Sequence, residues 1–152
     1  MYLVQHGEAE PREIDPKRPL SSKGREDVRK LANFIKPLKL TVYAIWHSNK
    51  KRAIQTAEIL SEVINSEKRR IECEGLAPND DVKILAKELE SAKKDIMIVG
   101  HLPFLSKLTS QLLVGDEQAG YIEFTQGDIL CLVHSEETAW QICWIITPNL
   151  LK

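Results

Sequence analysis

The sequence predicts an α/β protein with three layers: a mainly parallel central sheet, helices on both faces of that sheet, and a C-terminal antiparallel hairpin. Short apolar runs alternate with segments whose apolar residues recur with the period of a helix. After Tyr121 the period changes to two, which is typical of strands joined by a tight turn. The 152 residues suit one ordinary domain, to which we assign residues 1–152.

Apolar runs predict the strands. Those of the sheet are expected at residues 3–4, 42–46, 71–73 and 96–99, and the runs at 42–46 and 96–99 are apolar enough to be buried on both faces. The hairpin is expected at residues 129–133 and 140–146, with its turn at 135–137. Gly100 and His101 end the run at 96–99, which is the clearest of these strands.

Apolar residues that share one helical face predict four helices. Their stripes are Val28, Leu31, Ala32 and Ile35; Ala53, Ala57, Leu60 and Ile64; Val82, Leu85, Ala86 and Leu89; and Leu105, Leu108 and Leu112. The first helix is expected to begin near Ser21 or Ser22, Ser48 can cap the second, and the candidate caps of the third are Asn79, Asp80 and Asp81. Pro37 should end the first helix, Pro103 suits the first turn of the fourth, and Gly115 should end the fourth.

Composition excludes several classes of function. With 21 basic and 22 acidic residues the net charge is −1, so we expect neither nucleic acid nor an anionic membrane as partner. No apolar run approaches the roughly 20 residues needed to cross a bilayer. The three cysteines lack the spacing of metal ligands, which favours reduced thiols. The sequence shows no secretory leader, so we expect a cytoplasmic location. We expect no metal and no cofactor.

Common phosphate and hydrolase motifs are also absent. No Gly-x-x-x-x-Gly-Lys loop occurs, because Tyr121 follows the nearest glycine pair, and neither a Gly-x-Ser-x-Gly elbow nor a His-Glu-x-x-His helix is present. A cysteine phosphatase needs arginine six positions after its nucleophile. Those three positions hold Asn79, Glu137 and Asn149, which excludes the thiolate route.

Two histidines and two arginines remain as candidates for chemistry. His6 and His101 each follow a predicted buried strand at its carboxyl end, where parallel sheets bind ligands, and each adjoins a glycine. Arg18 precedes the first helix and Arg52 begins the second, where guanidinium groups can grip phosphate oxygens. This arrangement predicts a phosphate pocket. His47 is expected to be a surface imidazole, with a place in the pocket lining as the alternative.

Four segments carry a resemblance that covers essentially the whole chain. They are VQHGEA (4–9), KRPLSSKG (17–24), SNKKRAIQTA (48–57) and VGHLP (99–103). In this order they resemble the signatures of the histidine phosphatase superfamily, most closely its small bacterial branch, the SixA-type phosphohistidine phosphatases. The resemblance implies the phosphoglycerate mutase-like fold. It also implies that His6 takes the phosphoryl group as nucleophile while Arg18, Arg52 and His101 bind its oxygens, with Gly7 allowing close approach.

One position departs from the family pattern. The superfamily has arginine immediately before its nucleophile, whereas this chain has Gln5, which keeps hydrogen-bond donors in the phosphate site but loses the charge. We therefore expect reduced hydrolysis, with a noncatalytic phosphate-binding or phosphoprotein-binding relative as the alternative. Glu8 is the candidate general acid, with Glu74, Asp80 and Asp81 as others.

The interval between Arg52 and His101 is too short for a lid over the site. An open site favours a phosphorylated protein of the histidine phosphotransfer type as substrate, with a small phosphorylated molecule as the alternative. A mutase is disfavoured because the chain lacks the insertions that enclose a small substrate.

Overall fold

A six-stranded sheet forms the centre of the computed structural model, which describes residues 1–135 and 137–152. The helices are α1 (Ser22–Ile35), α2 (Lys51–Ser61), α3 (Val82–Ser91) and α4 (Phe104–Val114). The strands are β1 (Tyr2–Gln5), β2 (Thr41–Val42), β3 (Ala44–His47), β4 (Asn65–Ser66), β5 (Arg70–Glu72), β6 (Ile96–Gly100), β7 (Ile129–Ser135) and β8 (Thr138–Ile146). Short 3₁₀ turns cover Lys36–Leu38 and Pro148–Leu150.

The strand order is β5-β3-β6-β1-β7-β8. Strands β5, β3, β6 and β1 pair in parallel, whereas β7 pairs antiparallel with both β1 and β8. Parallel neighbours need long crossover connections, and the helices supply them. The predicted mainly parallel sheet with a C-terminal antiparallel hairpin is confirmed. Glu136 of the predicted hairpin turn lies outside the described residues.

Side chains of the central strands alternate between two cores. Leu3 and Ile98 pack with apolar residues of α3 and α4, whereas Val4 and Val99 pack with those of α1 and α2. All four side chains are fully buried, and each contributes about 1.5–3 kcal/mol of hydrophobic stabilisation. Because alternate residues of a strand face opposite sides of a sheet, both faces are covered and the predicted three-layer sandwich is confirmed.

One of the expected helix caps is wrong. Ser21 caps α1 as predicted, its Oγ accepting from the Gly24 N–H at 3.0 Å. The cap of α3 is Asp81, one of the three candidates, whose carboxylate accepts from the Lys83 N–H at 2.9 Å. The Asp80 carboxylate accepts instead from the Ala77 N–H. The residue before α2 is Lys50, which makes no side-chain cap, so Ser48 does not fill the predicted role.

The outer parts of the fold add two features. The predicted strand at 42–46 is divided, because Val42 belongs to β2 and residues 44–46 belong to β3. Strand β4, which pairs with β2, was not predicted, because two residues are too few to show a period. Pro37 lies in the 3₁₀ turn directly after α1, and Gly115 ends α4 in the left-handed conformation, both as expected. The longest helix, α1, has 14 residues, and among the described residues no helix is long and apolar enough to cross a membrane.

Candidate active site

The two candidate histidines leave the sheet at the same edge. Gln5 at the end of β1 is paired with Gly100 at the end of β6, so the residues that follow are neighbours. The His6 N–H donates to the Gly100 carbonyl at 3.1 Å, and the His6 and His101 ring centroids lie 5.0 Å apart. Parallel pairing of β1 and β6 therefore brings together two residues that are 95 positions apart in the sequence.

The His6 imidazole is held in one tautomer. Its Nδ1 lies 2.7 Å from the Gly7 carbonyl oxygen, which can only accept, so Nδ1 carries the proton. Nε2 therefore carries an unprotonated lone pair, which accepts a hydrogen bond from the Arg52 Nε–H at 3.1 Å. A neutral imidazole with an oriented Nε2 lone pair is a competent nucleophile.

The electrostatic environment keeps His6 neutral. Burial is the main cause that lowers the pKa of His6 to about 4; the hydrogen bond to Gly7 acts in the opposite sense, and the Arg52 and Arg18 charges lower it further. The side chain is only 6% exposed. At neutral pH the His6 ring therefore carries no proton on Nε2.

Arg52 is fixed by its place in α2. It is the second residue of the helix, and its carbonyl accepts from the Thr56 hydroxyl at 2.8 Å one turn later. The same Thr56 oxygen accepts from the Gly7 N–H at 3.1 Å. Thr56, which the sequence did not single out, thus ties the first turn of α2 to the residue after His6.

Arg18 is positioned by a strained loop. Its backbone is left-handed, with φ at 47°, a conformation that costs a non-glycine residue about 1–2 kcal/mol. Two contacts hold it: the Arg18 N–H donates to the Asp15 carbonyl at 2.9 Å, and its Nε–H donates to the Glu10 carbonyl at 3.2 Å. Its charge reaches the pocket and contributes to the lowered pKa of His6.

His101 is buried beside Ser48. Its Nε2 lies 2.5 Å from the Ser48 Oγ, and both side chains are nearly inaccessible to solvent. Burial, then His6 and Arg52, lower the pKa of His101 to about 3, so this ring is also neutral. Ser48 directly follows β3, just as His6 directly follows β1. This position after a strand indicates a site residue, and the prediction of Ser48 as a helix cap did not use it.

Gln5 is buried directly before His6. It is 5% exposed, and its N–H donates to the Asp128 carbonyl at 3.0 Å. The Gln5 Oε1 has no hydrogen-bond partner among the described residues. Asp128, a second buried polar residue, accepts from the Thr125 N–H and hydroxyl and from the Thr147 hydroxyl.

Two glycines near the site serve backbone packing. A Cβ on Gly7 would lie 2.7 Å from Val28 Cγ2 of α1, and one on Gly24 would lie 2.1 Å from the Glu8 carbonyl oxygen. Both positions therefore require the absence of a side chain. The close approach at Gly7 in this structure is that of helix α1, which holds the loop after β1 against the sheet.

Glu8 is held at the start of α1. Its Oε1 accepts from the Ser21 hydroxyl at 2.7 Å, and its Oε2 lies 4.0 Å from the Lys23 Nζ. The carboxylate side chain is 39% exposed. These contacts orient Glu8 towards the N-terminus of α1, and its role as general acid stays a prediction.

His47 is not on the surface, so that expectation was wrong. It ends β3, which lies between β5 and β6, and its ring is only 6% exposed. Its Nδ1 lies 3.0 Å from the Ser48 carbonyl oxygen. Within residues 1–135 and 137–152 no group of three or more histidine, cysteine or carboxylate residues is arranged to hold a metal ion.

Comparisons with known proteins give one consistent result. The family model for the histidine phosphatase superfamily (branch 1) matches residues 1–77. Phosphohistidine phosphatase SixA of Escherichia coli (strain K12) is 25% identical over 157 aligned positions, which cover 100% of this chain and 96% of that protein.

Solved structures agree with this match. A structure of the protein histidine phosphatase SixA complexed with tungstate has a TM-score of 0.84 at 25% identity, covering 99% of this chain and 98% of that one. A phosphoserine phosphatase mutant from Entamoeba histolytica, in complex with phosphoserine, has a TM-score of 0.71 at 17% identity, over 99% of this chain and 98% of that one. The second likeness concerns the fold alone.

Proposed function

This chain belongs to the histidine phosphatase superfamily, and from this premise we propose that it is a phosphohydrolase that removes phosphoryl groups from phosphorylated histidine on proteins. The observation that carries the proposal is the Nδ1–H tautomer of His6, which leaves a neutral Nε2 beside Arg52. Similarity over the full length to phosphohistidine phosphatase SixA supports the substrate class.

In the first step, the His6 Nε2 lone pair attacks phosphorus. The P–Nε2 bond forms while the bond from phosphorus to the leaving nitrogen breaks, and the leaving nitrogen takes up a proton from solvent or from the proposed acid, Glu8. In the second step, water attacks phosphorus and gives up one proton to solvent or to the Glu8 carboxylate, while the P–Nε2 bond breaks and its electron pair returns to Nε2. Phosphate leaves, and the ring is again neutral.

The cations would act on the transferring group. Arg52 already donates to the atom that would attack, and Arg18 places a second charge near it. Phosphoryl transfer relies mostly on positioning and on charge stabilisation, which two guanidinium groups supply. His101, held by Ser48 and 5.0 Å from His6, would add a neutral hydrogen-bonding group.

The chemistry of the leaving group determines how much a general acid contributes to the rate. The nitrogen of a phosphorylated histidine is easily protonated, so the reaction needs less help from an acid than a phosphate ester does. Glu8 is proposed for this role, although its carboxylate also accepts from Ser21. A Glu8→Gln variant should therefore lose more activity towards an alkyl phosphate such as phosphoserine, whose alkoxide leaving group needs a proton, than towards phosphoramidate.

The deciding experiment traps the intermediate. The protein is incubated with labelled phosphoramidate, and acid-labile, base-stable label on the chain is measured. We expect labelling of the unaltered protein, none in His6→Ala, and undiminished labelling in the control His134→Ala, which removes an exposed histidine. Label that persists in His6→Ala would refute His6 as the nucleophile.

Gln5 favours a second candidate, a relative that binds phosphoproteins without hydrolysing them. Its buried amide brings no positive charge to the position where the family has arginine. If the unaltered protein binds a phosphohistidine peptide but releases no phosphate, while Gln5→Arg does, this second candidate is correct.

A further inference from the structure

A cleft lined by six cations extends outward from the candidate active site. It has a volume of about 390 Å³ and is formed by two separate segments, the loop before α1 and the start of α2. Its charged lining residues are Arg12, Lys17, Arg18, Lys50, Lys51 and Arg52. No acidic residue of the described ranges lines it, and Arg18 and Arg52 are shared with the site at His6.

These cations have no anionic partner among the described residues. Within the part of the chain that the structure describes, none of the six lies within 4.0 Å of a carboxylate. Elsewhere on the same surface, pairs such as Lys23 with Asp27 and Arg70 with Glu58 are formed. Six like charges in one cleft repel each other, so the arrangement favours an anion from outside.

One phosphoryl group is too small to account for the cleft. Its volume would hold about a dozen waters at about 30 Å³ each. Arg52 donates to His6 and the Arg18 charge helps to lower the pKa of His6. The other cations of the cleft, the outer cations, include the exposed side chains of Arg12, Lys17 and Lys51. The outer cations are therefore available to anionic groups that flank the reacting phosphoryl group.

From this geometry we infer that the cleft docks acidic side chains that surround the phosphorylated residue of a protein substrate. This inference rests on the proposed function, which supplies the phosphoryl group at His6. The outer cations select the partner by charge and steer its approach, and take no part in the bond changes. Turnover of a small substrate therefore does not depend on them.

The test compares two histidine peptides of equal length, each phosphorylated with phosphoramidate. In one peptide glutamates flank the histidine, and in the other glutamines do. We measure kcat/KM for both peptides and for phosphoramidate, and the affinity for both peptides by fluorescence anisotropy. The variants are Lys17→Gln with Lys51→Gln in the cleft, and the matched control Lys83→Gln with Lys87→Gln on exposed positions of α3.

Removal of each cation should lower kcat/KM or affinity for the acidic peptide by about two- to fivefold. The cleft variant should thus lose about tenfold in kcat/KM or affinity for that peptide, and little for the neutral peptide or phosphoramidate. The control should match the unaltered protein. The preference for the acidic peptide should shrink as salt rises from about 0.01 to about 0.1 M.

Failure of this inference differs from failure of the proposed function. Equal use of the two peptides by the unaltered protein, or an unchanged preference in the cleft variant, would overturn the acidic-docking inference. If no phosphate is released from any substrate, the proposed function fails, and the anisotropy comparison still decides what the cleft binds.

Discussion

Acidification should destabilise this protein because His6 remains neutral in the folded state. The folded-state pKa is about 4, below the ordinary histidine value of 6.5, and burial is the largest cause. Between these two pH values the unfolded chain binds a proton at this residue and the folded protein does not. The free energy of unfolding therefore falls as pH falls through this window, and below about pH 4 this residue adds no further change.

The expected loss can be worked from the same values. At about 1.36 kcal/mol for each pH unit, the interval from 6.5 to about 4 gives about 3 kcal/mol for His6 alone. This is a large part of the roughly 5–15 kcal/mol that stabilises a typical domain. The low pKa of His101, about 3, adds a loss of the same sign.

Urea unfolding between about pH 7 and about pH 4 measures this effect. The unaltered protein should lose about 3 kcal/mol more than His6→Asn over that interval, because asparagine does not titrate. His134→Asn, which removes an exposed histidine, should retain the pH dependence of the unaltered protein. If His6→Asn shows the same pH dependence as the unaltered protein, burial does not hold His6 neutral and the reasoning is refuted.

Three substitutions test other parts of the site. Gln5→Arg should raise phosphate release by about 10²- to 10³-fold, because it supplies a charged donor for the transition state; unchanged kcat would contradict this. Ser48→Ala should lower kcat by about tenfold, because it leaves a buried nitrogen of His101 without its partner. Ser48→Thr retains a hydroxyl and should lose less activity. Equal kcat in these two variants and the unaltered protein would exclude a positioning role for Ser48. Gly24→Ala should lower the free energy of unfolding by about 1–3 kcal/mol, because the new Cβ would lie 2.1 Å from the Glu8 carbonyl oxygen. The control is Asn33→Ala, at an exposed position of the same helix. Equal urea midpoints for Gly24→Ala and the unaltered protein would contradict that packing argument.

The sequence predicted the layers because hydrophobic period reports directly on which face of an element is buried. The stripe from Val28 to Ile35 and the apolar run of β6 lie where the period places them. Helix caps were less predictable, since several polar residues near a helix start can accept the same N–H groups. Asp80 and Asp81 are chemically equal candidates, and only the backbone path decides between them.

The sequence by itself determined the α/β architecture and the proximity of His6 to His101, because parallel strands end at one edge of a sheet. Only the tertiary structure decided the tautomer, the hydrogen-bond partner and the burial of the individual histidines. The tautomer of His6 depends on the Gly7 carbonyl, the partner of His101 is a hydroxyl from another strand end, and the burial of His47 depends on its position inside the sheet. The six-cation cleft likewise exists only because folding brings two distant segments together, since electrostatic fields depend on distance in space and not on separation along the chain.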